Sequence, residues 1–214
     1  LARDPYAVYA RRVLGLARLD DPGRAFSGAD LGGALHAVFE RAAKSAATAL
    51  PDIAALRALF DEEARARGMS AVDRRLWASA IDDALAWYAA FERRARAEGA
   101  HVHAEIEGAA DLAGLAAPFT LTARADRIEI AASGEASVVD FKLSGGPTKK
   151  QAEAFSPQLE LISWIVQQGG FKTIGAARVA CVGVRRLGAV GLDPHLAAVP
   201  APGGGAQDIE RLRE

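Results

Sequence analysis

Val138-Val139-Asp140-Phe141-Lys142 ends an apolar run with an acid and a lysine two positions apart. In a β-strand, residues i and i+2 share a face. The spacing therefore projects Asp140 and Lys142 together and turns Phe141 into the core. A carboxylate and an ammonium at the end of a buried strand can hold a divalent metal and a polarised water. That makes phosphodiester hydrolysis a concrete hypothesis. The competing reading of the same residues is a surface Asp–Lys pair on an edge strand.

The segments around this strand supply a sheet for it. Val102, Ala104 and Ile106 alternate with polar residues, and a second alternating run covers Phe119 to Ile130. Ala131–Glu135 reads as a turn and Ala136–Lys142 as the third strand. Gly145-Gly146-Pro147 breaks the chain, Gln151 to Gln168 has helical spacing interrupted at Pro157, and Ala176 to Val184 is a last apolar strand. Before the strands, the pattern predicts helices. One starts at Asp4-Pro5 and ends near Gly15, one is capped by Asp30, and one runs over 52–67. A long one opens at the capping box Ser70-Ala71-Val72-Asp73 and closes at Gly99. Several helices, a three-strand meander, a crossover helix and a strand make a mixed α/β layer with helices covering the sheet.

Bulk properties narrow the classes. The 214 residues suffice for one substantial domain, with half of them hydrophobic and a quarter charged. A net charge of −1 gives no overall basic field, so nucleic-acid contact would need a local patch or a bound metal's charge. The single cysteine, Cys181, excludes an intramolecular disulfide and a Cys-rich metal site, and reads as a small buried hydrophobe. No apolar stretch approaches the ~20 residues of a membrane span and no secretory signal is visible, so a cytoplasmic location is expected. The start at Leu1 reads as an excised or trimmed domain. Pro200, Pro202 and Gly203–Gly205 mark residues 200–214 as a flexible tail after a domain over 1–199, with a helical part over 1–99 and a sheet over 100–186.

Further candidates lie on these elements. Asp126, in Ala125-Asp126-Arg127-Ile128, sits on the strand before Asp140, and adjacent strands can bring the two carboxylates to one side of the sheet. Two such groups repel unless a cation lies between them, and Mg²⁺ fits, with the Phe141 carbonyl as a further ligand. Lys142 would orient or deprotonate the attacking water, or neutralise the pentacovalent phosphate. The plain reading of Asp126-Arg127 is a local ion pair. His36 is either a ligand or a satisfied residue of an apolar helix face. Glu105 and Glu107 share the polar face of the first strand, near the site or solvated. His101 and His103 lack a third ligand at familiar spacing. Gln158 could donate to phosphate or hold Lys142, or be simply exposed. Lys149 and Lys150 could touch a DNA backbone or be solvated.

Gly33-Ala34-Leu35-His36, Ala125-Asp126-Arg127-Ile128, Val139-Asp140-Phe141-Lys142 and Ser156-Pro157-Gln158-Leu159 occur in that order on a helix, two strands and a helix. Together they resemble the PD-(D/E)XK nuclease superfamily, in particular its RecB-like branch and the C-terminal nuclease domain of AddB helicase–nuclease subunits. The resemblance implies a restriction-endonuclease-like core: helix, three-strand meander, helix and strand. It implies metal ligation by His36, Asp126 and Asp140, with Lys142 as catalytic lysine and Gln158 assisting. It also implies Mg²⁺ (or Mn²⁺) as cofactor, DNA as substrate, an AddA-type helicase subunit as partner, and DNA-end processing in recombinational double-strand break repair. Ile162 stands where this branch usually has a Tyr, and Asp4 where some relatives have the first cysteine of an iron–sulfur cluster, so no cluster is expected. The alternative within the same fold is a non-cleaving DNA-binding or subunit-interface module.

Overall fold

The computed structural model describes residues 5–16, 25–45, 52–113, 118–143 and 158–186. The expectations for Asp4, the Pro22-Gly23 loop, Gly145–Pro147, Lys149, Lys150, the segment 151–157 and the tail at 200–214 lie outside them.

Among the described residues, five helices precede the sheet: α1 Pro5–Arg12, α2 Gly28–Ser45, α3 Ile53–Ala66, α4 Ala71–Leu76 and α5 Ala78–Ala97. Their starts follow local chemistry. Asp52 accepts from the Ala55 N–H at 2.7 Å to cap α3. Ser70 and Asp73 form the reciprocal box expected for α4. Two sequence expectations are corrected here. Ser27, not Asp30, stands before α2. Asp30 lies in the first turn and its carboxylate takes the Ser27 N–H at 2.8 Å and hydroxyl at 2.6 Å. The long helix expected from residue 70 is two helices. Trp77, with ψ near 4°, leaves helical geometry where its indole packs against the helical core.

The strands are β1 His101–Asp111, β2 Thr120–Ile130, β3 Ala136–Lys142 and β4 Val179–Arg186, and α6 Gln158–Gln167 lies between β3 and β4. They form one sheet in the order β1-β2-β3-β4. The first two pairings are antiparallel and the last is parallel, as a meander followed by a crossover requires. Gly134, with φ +83°, shapes the β2–β3 turn, and Gly169, with φ +71°, ends α6.

The sheet separates two apolar clusters. On one face Leu35, Val38 and Phe39 of α2, Leu56 and Phe60 of α3, and Leu85, Tyr88 and Phe91 of α5 enclose Val139 and Phe141. On the other, Ile162, Ile165 and Val166 of α6 and Phe171 pack on Ala125, Ile128, Ala136, Val138 and Val182. Cys181 is half-buried on β4 rather than fully enclosed.

Strict alternation fails at one place in β2. Ala125 and Ile128, three residues apart, both face α6, while Asp126 and Arg127 between them both reach the helical layer. On β1 the same step occurs at Glu105, whose φ is +49°. The antiparallel register is unchanged on either side of this point, from His101↔Ile130 to Asp111↔Thr120, and Glu105 and Asp126 occupy the unpaired position between Ala104↔Arg127 and Ile106↔Ala125.

Candidate metal centre and active site

This irregularity builds the site. Glu105 and Asp126 occupy the skipped position of the β1–β2 ladder, and one step beyond the last β2–β3 pair, Arg127↔Val139, comes Asp140. Three carboxylate residues thus lie in a row across three neighbouring strands. α2 brings His36 over the row. Its Nδ1 is 3.6 Å from Glu105 Oε1 and 3.6 Å from Asp126 Oδ2. Its Nε2 donates to the Phe141 carbonyl at 2.9 Å, and its ring meets the Phe141 ring edge-on, 5.9 Å between centroids. The Phe141 N–H donates to Asp126 Oδ2 at 2.9 Å. One backbone unit of β3 therefore engages both the imidazole and the carboxylate while its side chain anchors in the helical core. A narrow crevice lined by His36, Glu40, Tyr88, Glu105, Asp126 and Phe141 runs beside this cluster.

Charge is concentrated here. Burial pushes the Asp126 carboxyl upward, reinforced by Asp140 and Glu105 and opposed by the Phe141 N–H and His36. Burial likewise works against ionised Glu105, but His36 and Arg124 outweigh it and hold that carboxyl below its usual range; Arg124 Nε lies 2.7 Å from Glu105 Oε2. Burial disfavours the His36 imidazolium too, yet Glu105, Asp126 and the Phe141 carbonyl win and its pKa is raised.

Ligand atoms held about 2.1 Å from one octahedral ion stand roughly 3–4 Å from each other. The donor atoms of His36, Glu105 and Asp126 all lie within 4.8 Å of one another, slightly wider than that spacing, so a small inward adjustment would let these residues share a divalent cation. The carboxylates suit Mg²⁺, Ca²⁺ or Mn²⁺, whereas the imidazole suits transition ions such as Zn²⁺ or Fe²⁺. Asp140 is outside that trio and forms its own pair, with Lys142 Nζ 3.0 Å from Asp140 Oδ2. Asp140 is 8 % exposed at its side chain and Lys142 45 %, so the ammonium opens to solvent from a buried acid. Gln158 is exposed at the first turn of α6. Of the residues marked in the sequence, the structure thus gathers His36 and Asp126 at one point and joins Asp140 to Lys142 beside it.

Two features escaped sequence reasoning. Glu105 reaches the cluster while Glu107 is exposed, although regular alternation makes them equivalent. Arg127 is no partner of Asp126: at 1 % side-chain exposure it is paired with Glu92 of α5, while its Nε donates to Glu129 at 2.7 Å.

A sequence profile describing the PD-(D/E)XK nuclease superfamily matches residues 1–212. The chain belongs to that superfamily. Asp140-Phe141-Lys142 at the end of β3 has the D-x-K spacing of the superfamily's name, and the four-stranded mixed sheet with flanking helices is consistent with a restriction-endonuclease-like fold. Curated relatives include proteins described only as uncharacterized. One from Rickettsia typhi is 26% identical over 178 residues, 80% of this chain and 21% of that protein. One from Rickettsia bellii is 26% identical over 174 residues, 80% of this chain and 21% of that protein. One from Rickettsia conorii is 24% identical over 188 residues, 85% of this chain and 22% of that protein. The PD-(D/E)XK chain spans about a fifth of the length of these relatives.

Proposed function

We propose that this PD-(D/E)XK domain is a divalent-metal-dependent deoxyribonuclease. The observation that carries the reading is the meeting of His36, Glu105 and Asp126 beside an Asp140–Lys142 pair where the β2–β3 pairing stops. Within it, His36, Asp126 and Asp140 are assigned as ligands of Mg²⁺ or Mn²⁺, with Glu105 added by its position. Bound there, the ion would lower the pKa of a water and offset phosphate charge. The chain's own residues do the rest. Phe141 fixes Asp126 through its N–H and His36 through its carbonyl. Lys142, held by Asp140 and open to solvent, offers its ammonium to the scissile phosphate or the attacking water. Gln158, exposed on the crossover helix, is assigned to help position DNA or Lys142.

The finer reading is an exonuclease of the AddB type, acting with an AddA-type helicase subunit in cytoplasmic recombinational repair. It rests on the four ordered motifs.

Digestion of labelled single- and double-stranded DNA with Mg²⁺ or Mn²⁺, with and without chelator, tests the activity. Asp126→Asn, Asp140→Ala and Lys142→Ala should each reduce the rate by about 10²-fold or more with unchanged circular dichroism. Metal-independent cleavage, or equal cleavage by the variants, would overturn the assignment. DNA binding by the parent without cleavage would instead identify a non-cutting module.

A further inference from the structure

Asp126 reaches His36 only because β2 turns two consecutive side chains to the helical layer, and the second of these is Arg127. Below this point the parity of β2 is set by Arg127 and Glu129 on the helical side and Ile128 on the other. Above it, parity is set by Arg124 and Asp126 on the helical side and Ala125 on the other. The switch therefore falls between Asp126 and Arg127. A guanidinium cannot sit in the apolar cluster under α6 without losing its solvation and gaining no partner, the penalty of a buried unpaired ion. The helical layer offers it Glu92, fully buried on α5, which also accepts from Arg96 Nε at 2.8 Å. It offers the Phe91 ring as well, with the guanidinium carbon 4.8 Å from its centroid.

We infer that the buried Glu92–Arg127 pair is a positioning device: it fixes where the strand changes face and so holds the Asp126 carboxylate against the Phe141 N–H and His36. Glu92 and Arg127 touch neither the phosphate nor the cation in this scheme. They act through Asp126. The link to metal affinity rests on the nuclease reading; the link to the Asp126–Phe141 hydrogen bond does not.

The test uses the 214-residue chain with Glu92→Met/Arg127→Met. Replacing a buried ion pair by apolar residues of similar volume is often neutral for stability, so a changed melting temperature is not the readout. Hydrogen exchange of the Phe141 amide is, compared with the Ala109 amide, which bonds the Gly170 carbonyl at 3.0 Å well away from the pair. The inference expects Phe141 exchange to accelerate at least tenfold with Ala109 unchanged, and the Mn²⁺ dissociation constant to rise about tenfold or more. Parent-like Phe141 exchange, or equal acceleration of both amides, would overturn it. Arg127→Lys serves if the double variant does not fold. A lysine has no second nitrogen to bridge Glu92 and Glu129, so Phe141 exchange should rise severalfold, and parent-like exchange again counts against the inference. A parent that binds no Mn²⁺ would remove the metal reading alone, and Phe141 exchange would still decide the positioning role.

Discussion

Glu105 is the one non-glycine residue with positive φ among the described residues, at +49°. A left-handed conformation costs a long side chain on the order of 1–2 kcal/mol, and here it delivers a carboxylate to His36 and Arg124. Strain and charge can be separated. Glu105→Asn, a residue that tolerates this conformation, loses the His36 and Arg124 contacts without adding backbone strain. Glu105→Val, β-branched, should lower the urea-unfolding free energy by about 1–2 kcal/mol more than Asn does. Both remove the carboxylate, and calorimetry should find Mn²⁺ binding weakened in both. At this scale the sequence was legible where types and spacing suffice: Asp140 and Lys142 pair because i and i+2 share a face, and Phe141 turns inward. Glu105 was not legible, because period two treats it like Glu107, and the break in that period lies in a backbone torsion no side chain advertises. Nor was Arg127, since its partner Glu92 is 35 residues away.

Among the elements, the strands were readable because each is bounded by its own turn chemistry, as at Ala131–Glu135, where the Ala131 N–H bonds the Glu135 carbonyl at 2.9 Å. The α4–α5 break was not readable. Residues 71–97 contain no glycine or proline to mark a break, and Trp77 leaves the helix for packing that only the tertiary fold supplies. A second hidden feature joins α6 to β1. The Gly169–Phe171 turn lays its backbone on the strand, with the Ala109 N–H bonding the Gly170 carbonyl at 3.0 Å. A Cβ at Gly170 would collide with the Ala109 carbonyl oxygen, and one at Gly108 would stand 2.6 Å from the Phe171 ring. Gly170→Ala should therefore cost about 1–3 kcal/mol, the range for overpacking, measured by thermal or urea melts. Gly134→Ala at the open β2–β3 turn has space but φ +83°, so its smaller cost, about 1 kcal/mol, would reflect backbone strain alone.

For the whole molecule, the sheet divides the apolar interior in two, and the candidate site lies on the helical half, where the β2–β3 pairing stops. The order of elements sufficed to foresee this topology, since a meander followed by a helical crossover has few arrangements. The position of α2 over the strand row was not foreseeable from periodicity, because it depends on how the helices pack on one another. If the acids and imidazole bind an ion in the folded state only, Mn²⁺ must stabilise the fold by mass action, by about 2.7 kcal/mol at a hundredfold excess over the dissociation constant. A thermal melt should shift upward with added Mn²⁺ and return with chelator, and Asp126→Asn should flatten the response.

One backbone unit, that of Phe141, hands its N–H to an acid and its carbonyl to an imidazole, while its ring packs among Phe39, Trp87, Tyr88 and Phe91 and against the edge of that imidazole. The chemistry asks of that ring only apolar bulk. In a library randomised at position 141 and selected for DNA cleavage, bulky greasy letters of several kinds should survive, small or charged ones should vanish, and proline, which has no N–H to lend, should be absent even among clones that still fold.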